Sequence, residues 1–448
     1  MSRPLWLAAG GSAAAFPLLL LAGAPAFGYA FALLAMGIVA FGSRVSPNLQ
    51  IGVAAAAGLA LGLWPESGIE HVHVVGRLFI SLLKMLIAPM ILLSIVHGIA
   101  GMSRARDFGR IGTLTLGFYV GTMAMAVTTG LVLVNVFDPG AGSTLRDTPF
   151  FANAIASGPE APPPSDLALT ESLVRIVSGA IANPIEALAK GRILPVVTFA
   201  VLLGLALLRL GNRARPLVEV LGAANLAVMQ LIGWFVQLAP LGIFALLGNL
   251  VAATGFAELA THLGAFMAVV FVATAFHAGV NLPLVVRVFS GRSPLSFLRG
   301  IQRALVVAFS TSSSAATLPV TTRCVEEELD VPPEVSSFVL PLGATVNMDG
   351  TALYEAIAAI FVANIYAIEL SLASQLVVFA ISMISAIGAP GIPSAGMVTM
   401  VVVLEAVGLP VEAVALLLTI DRVLDTVRTM ANVEGDAAVA VCVSARTR

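Results

Sequence analysis

The last third of this 448-residue chain is apolar enough to lie in a membrane, yet its apolar stretches are repeatedly broken at mid-length. No other feature restricts the fold as much. Ser312-Ser313-Ser314, with Pro319 behind them, interrupt the first stretch, and Asn347-Met348-Asp349-Gly350-Thr351 interrupt the next. The plan then recurs: a third stretch is broken by Gly-Ala-Pro-Gly-Ile-Pro-Ser-Ala-Gly at 388–396, and a charged helical segment follows over 411–444. Glycine and proline at membrane depth leave backbone N–H and C=O groups that lipid cannot satisfy. Such backbone survives only when buried in protein or lining an aqueous site. A proline kink accounts for one break, not for a set in register. Paired, broken segments in two corresponding halves point to the binding site of a transporter.

The charged segment agrees with this. Asp421, Asp425, Arg428, Asn432 and Asp436 follow one another at steps of four, three, four and four, which at about 100° per residue places all five on one helical stripe. Ionisable groups at membrane depth are expensive and face a bundle interior or a water-filled cavity. Three acids, a guanidinium and an amide on one face suit a charged solute and its counter-ions. A structural ion-pair network between packed helices is the plain alternative.

Composition sets the class. Hydrophobic residues make up 58% of the chain and charged residues 11%, where a soluble enzyme would carry about twice that charge. A net charge of −2 argues against nucleic acid as a partner. Cys324 and Cys442 offer no disulfide framework, and the five histidines form no metal-binding motif. Apolar segments long enough to span a bilayer fall at 46–64, 75–102, 110–137, 194–211, 220–250 and 259–287. Arginine clusters follow the second (Arg104, Arg106, Arg110), fourth (Arg209, Arg213, Arg215) and sixth (Arg287, Arg292, Arg299, Arg303), so these ends are expected on the cytoplasmic side. The polar insert 138–172 is expected outside. Residues 1–45 form a separate hydrophobic extension. It reads equally as a two-helix hairpin or as a signal peptide ending near Ala26 followed by one span.

Four segments carry a family resemblance: TSSSAATLPVT (311–321), LPLGATVNMDGTALYEA (340–356), GAPGIPSAGMVTM (388–400) and DRVLDTVRTMANVEGDA (421–437). In this order they resemble the signature regions of the dicarboxylate/amino acid:cation symporters, the glutamate/aspartate transporter family. The resemblance covers about residue 46 to the end. It implies an all-α polytopic membrane protein of eight transmembrane helices with two re-entrant hairpins in inverted repeats, assembled as a homotrimer of elevators in the cell membrane. Hairpin one is then expected at 294–327, helix seven at 333–367, hairpin two at 371–407 and helix eight at 411–447. Scaffold helices would lie mainly in 46–105 and 170–255, and the substrate-binding core in 294–448. The implied activity is uptake of L-glutamate or L-aspartate with Na⁺ and H⁺ as coupling ions, without catalysis or an organic cofactor.

The resemblance also implies roles residue by residue. Arg428 matches the arginine that holds the substrate's side-chain carboxylate, and a guanidinium fork suits that task. Asp425 matches the acceptor of the α-ammonium and Asn432 the orienting amide, with Thr351 and Thr429 in the same set. The α-carboxylate would sit on backbone N–H groups at the hairpin tips, around Ser312, Ser313 and Ser314 and around Ile392, Pro393, Ser394, Ala395 and Gly396. One Na⁺ would take carbonyls of Gly343, Asn347 and Asn432 with the Asp436 carboxylate. A second would take Thr345 with the backbone of Ala386, Ile387 and Ala389, and a third Tyr119, Thr122, Asn347 and Asp349. Met123 stands where that third site usually has another hydroxyl. Glu355 matches the proton-coupling glutamate of animal glutamate transporters, and a carboxyl group out of water can carry a proton on one stroke and release it on the other. Glu434 stands where the family usually has a small or apolar residue. Two other readings compete: a C4-dicarboxylate carrier, whose substrates have no ammonium for Asp425, and an intramembrane hydrolase built on Ser313 and Asp349. The second has no histidine or lysine within the signature segments to activate a serine.

Overall fold

The computed structural model describes residues 47–64, 67–101, 109–148, 174, 177–190, 192–387 and 396–447. The hydrophobic extension at 1–45, much of the polar insert and the tip of the second hairpin (Ala389, Ile392, Pro393, Ser394 and Ala395 included) lie outside the described residues. Those described form an all-helical molecule.

Two packing groups make it up. The first contains α1 (Pro47–Gly62), α2 (His73–Gly101), α4 (Ile193–Leu210), α5 (Arg215–Val236) and α6 (Ala239–Thr254). Here α1 lies along α6, and α2 against α4, α5 and α6. Glycine makes the α1–α6 approach close. A methyl group on Gly62 would stand 2.6 Å from the Gly248 carbonyl oxygen, and one on Gly248 would press on Ile69. Gly58 and Gly62, four residues apart, are the small-xxx-small pattern that lets membrane helices touch backbone to backbone.

The second group is built around α15 (Val414–Thr447), against which α8 (Leu282–Ser290), α9 (Pro294–Thr311), α11 (Pro333–Val346) and α12 (Asp349–Ile365) all pack. It also contains α3 (Arg110–Phe137), α7 (Phe256–Phe276), α10 (Ser314–Arg323), α13 (Leu372–Ile387) and α14 (Gly396–Ala406). In the most apolar window of 333–365, 94% of residues are buried, against 33% for 110–137. The first is thus a central element and the second presents a broad exposed apolar face.

Two of the sequence-predicted breaks, at Ser312-Ser313 and Asn347-Met348, are real interruptions, and the third, at 388–396, falls almost wholly outside the described residues. Ser312, with φ of 49°, ends α9, and Ser313 in extended conformation starts α10, its Oγ accepting the Ala316 N–H. Asn347 and Met348 are both non-helical between α11 and α12. Hairpin one therefore occupies 294–328 with its last π turn, close to the expected 294–327. Helices α13 and α14 are the two arms of hairpin two, and they pack on α12 as well as on α2. The segment read as one span at 220–250 is two helices, parted at Gln237-Leu238, with Pro240 in the first turn of the second. Proline has no N–H to continue the first helix but fits the start of the next. The stretch at 259–287 likewise carries a π turn at His277–Asn281 between α7 and α8. The two groups are tied by Lys84 of α2, which donates to Glu412 just before α15 at 2.6 Å.

Candidate substrate and cation site

Arg428 is 1% exposed and sits at the centre of the second group. Its Nη2 donates to Asp421 Oδ1 and to Asp425 Oδ1, both at 2.8 Å. The guanidinium lies over the Tyr354 ring, 4.1 Å from its centroid, a cation–π contact within a desolvated site. Nε and Nη1 have no hydrogen-bond partner among the described residues. Asp425 is shared, because Arg422 Nη1 lies 3.5 Å from its Oδ2. The stripe read from the sequence is therefore real, but Asp425 and Arg428, expected to serve opposite ends of a substrate, are bonded to each other. Asp421, read from the sequence as part of the stripe, and Tyr354, which the sequence did not single out, complete the cluster.

Asn432 lies one turn further along α15. Its Oδ1 accepts the Gly350 N–H at 2.7 Å and its Nδ2 reaches Thr351 Oγ1 at 3.3 Å. The N–H groups of a first helical turn have no intrahelical partner, so the Asn432 side chain caps α12 at its break. A glycine is required opposite: a methyl group on Gly350 would press on the Arg428 backbone, 2.9 Å from its Cα. The Thr429 hydroxyl donates to its own helix at Asp425 O.

The expected cation ligands form a second, adjoining cluster. Asn347 Nδ2 donates to Asp436 Oδ1 at 3.2 Å, and Thr122 Oγ1 lies 3.2 Å from both Asn347 Oδ1 and Asp349 Oδ1. Asn347 and Asp349 have no exposed surface, and Asp436 is 3% exposed. Gly343 faces Asp436, and a methyl group there would also stand 2.8 Å from the Tyr119 hydroxyl oxygen. Tyr119 donates to Val339 O at 2.5 Å, so its hydroxyl proton is directed at α11 and not at Asp349. Thr345 is placed elsewhere. It is exposed, donates to Leu342 O, and lines a cavity of about 1020 Å³ with His97, Arg215 and Asn225 of the first group. Ala386 is buried, and the Ile387 carbonyl faces Gly98 of α2.

Glu355 has no exposed surface and is clasped by both arms of hairpin two. Ser385 on α13 donates to Oε2 at 2.5 Å, and Thr399 on α14 donates to Oε1. Each hydroxyl also has a backbone acceptor within reach, Ser382 O at 3.2 Å and Gly396 O at 3.1 Å. A hydroxyl can turn to such a carbonyl and accept instead of donate, so the site can satisfy this side chain with or without a proton. Glu434, on the far side of α15 from Asp425, is 2% exposed. Its Oε1 has no hydrogen-bond partner among the described residues, and the Asp349 charge lies nearby.

Broken helices converging on two buried polar clusters, beneath a lipid-facing apolar surface, define a multi-pass membrane transporter. The sodium:dicarboxylate symporter family is matched over residues 48–446, and the chain belongs to that family. It is 35% identical to an excitatory amino acid transporter of Caenorhabditis elegans over 418 residues, 84% of this chain and 81% of that one. It is 35% identical to human excitatory amino acid transporter 2 over 407 residues, covering 81% and 71% of the two chains. With excitatory amino acid transporter 4 of Rattus norvegicus the identity is 34% over 447 residues, 86% and 80% of the chains.

Proposed function

We propose that this chain takes up acidic amino acids, L-aspartate or L-glutamate, by symport with Na⁺ and a proton, as an elevator carrier in the cell membrane. The observation that carries this reading is Arg428 at the core of the helical bundle, paired to two acids through a single nitrogen. A guanidinium presents two fork edges to a carboxylate, and Nη2 belongs to both. A substrate carboxylate therefore binds bidentately only by displacing Asp421 or Asp425. Displacing Asp425 turns that acid toward the substrate's α-ammonium, so an amino acid replaces at its two ends the bond that it breaks. A dicarboxylate lacks the ammonium and offers the displaced Asp425 nothing in return. The relatives named above as excitatory amino acid transporters support the same substrate class.

The α-carboxylate would be held by backbone N–H groups at the tips of the two hairpins, Ser312 to Ser314 and Ile392 to Gly396. Gly343, Asn347, Asn432 and Asp436 would hold one Na⁺. Thr345 with Ala386, Ile387 and Ala389 would hold a second once hairpin two closes, and Thr122, Asn347 and Asp349 a third. Glu355 would carry the proton. The α1, α2, α4, α5 and α6 group would serve as the scaffold of a homotrimer, with the second group moving against it. Radiolabelled aspartate, glutamate and succinate offered to proteoliposomes under Na⁺, H⁺ or K⁺ gradients, one gradient at a time, test this. Uptake of aspartate or glutamate driven by inward Na⁺ is expected. Succinate carried as well as aspartate would replace the amino acid reading with the dicarboxylate one.

A further inference from the structure

His277 has no exposed surface and lies within the second packing group, yet neither the substrate pocket nor the proton path uses it. Its position follows from the sequence beside it. Pro283 offers no N–H to the Gly279 carbonyl and its ring crowds that group, and the helix widens over His277–Asn281 into a π turn. Such turns are found frequently at functional sites. This one sets His277 Nε2 3.3 Å from Asp349 Oδ2 and Asn281 Nδ2 3.3 Å from His277 Nδ1.

The direction of these bonds is fixed from the other end. Thr129 Oγ1 spends its proton on Met125 O at 2.8 Å, so it can only accept from Asn281, which approaches it at 2.8 Å. The atom facing Thr129 must then be the amide nitrogen, and its second hydrogen points to His277 Nδ1. Nδ1 is therefore an acceptor, and the proton of a neutral ring sits on Nε2 and is donated to Asp349. Every donor in the chain Thr129, Asn281, His277, Asp349 is thus determined by one helix carbonyl. On its other side Asp349 is met by Thr122, and a methyl group on Gly435 would stand 2.6 Å from Asp349 Oδ2. The carboxylate is held from both sides.

We infer that His277 is a positioning residue for a monovalent cation site made by Asp349, Thr122 and Asn347. Its neutral Nε2–H fixes the carboxylate without cancelling its charge. Ligating carboxylates are commonly oriented by such outer hydrogen bonds. The inference rests on the sodium coupling proposed above and adds to it the residue that keeps the third site assembled.

The test is the Na⁺ dependence of aspartate uptake by the full-length protein in proteoliposomes. His277→Leu keeps the volume but removes the donor. It is expected to raise the Na⁺ concentration for half-maximal uptake about tenfold, with aspartate affinity at saturating Na⁺ nearly unchanged. His277→Gln, whose amide nitrogen reaches the Nε2 position, is expected to restore most of the Na⁺ affinity. Asn281→Leu, which frees the ring tautomer, should shift it in the same direction by less, and it carries the test if His277→Leu does not assemble. An unshifted Na⁺ dependence in His277→Leu and Asn281→Leu, or equal impairment by Leu and Gln at 277, overturns the positioning role while sodium coupling stands. Wild-type uptake indifferent to Na⁺ overturns both.

Discussion

Arg428→Cys separates the stability role of the arginine from its recognition role. Nη2 serves two carboxylates at 2.8 Å each. In the variant Asp425 keeps Arg422 at 3.5 Å, whereas Asp421, 2% exposed and with one oxygen that has no hydrogen-bond partner among the described residues, loses its hydrogen-bonded cation and is left with the more distant charge of Arg422. Removing one partner of a buried ion pair typically costs about 3–5 kcal/mol because the other charge is left uncompensated. The variant should therefore melt well below the wild type in detergent. Adding Asp421→Asn removes the stranded charge, so the double variant should recover part of the loss, with a coupling of about 1–3 kcal/mol. Recognition behaves differently. The bidentate contact to a substrate carboxylate is lost in both variants, and a truncated buried charge pair costs about 2–5 kcal/mol in binding, or roughly 30-fold to a few thousandfold in affinity. Aspartate binding by calorimetry and uptake into proteoliposomes should both fall by that factor, with no recovery from Asp421→Asn. Serine or alanine could then gain entry. Aspartate affinity unchanged in Arg428→Cys refutes the recognition argument, and a double variant no more stable than the single one refutes the assignment of the stranded charge.

Four further outcomes are expected. Glu355→Gln should abolish the acidification of the proteoliposome lumen that accompanies uptake while leaving binding and substrate exchange largely intact; undiminished proton movement would shift the role to another acid. Asp436→Asn should flatten the steep rise of aspartate affinity with Na⁺, since each ligand raises the other's affinity by the same factor; an unaltered slope would remove Asp436 from the cation site. Gly350→Ala should lower the melting temperature, because its methyl group meets the Arg428 backbone and overpacking costs about 1–3 kcal/mol. Gly121→Ala, with open space around it on α3, should be neutral or slightly stabilising, and equal losses at the two positions would contradict the close approach of α12 and α15.

What was legible in the sequence follows from what has a local signature. Breaks at Ser312-Ser313 and Asn347-Met348 could be read because small and polar residues inside apolar runs have few other uses. The stripe on α15 could be read because helical spacing alone puts its residues on one face. Partner choice within the stripe could not, since spacing says which side chains are neighbours and not which of Asp421 and Asp425 takes the guanidinium. His277 carried no signal: its partner lies 72 residues away, and a single histidine in an apolar run looks like core. Ser385 and Thr399 were hidden for the same reason, at 30 and 44 residues from Glu355. The division of 220–250 into two helices was marked only by Pro240, which also fits a continuous span with a kink.

The Lys84–Glu412 pair bears on the speed of the carrier more than on its stability. It bridges α2 and the turn before α15 with side chains 36% and 28% exposed, so water reaches it and its strength is that of a surface pair, about 1 kcal/mol at most. If one packing group slides past the other, the pair must part at the start of every slide away from this arrangement. A contact of that size lengthens the dwell in this position by up to about fivefold. It acts as a brake and not as a lock, and it slows departure without deciding the destination.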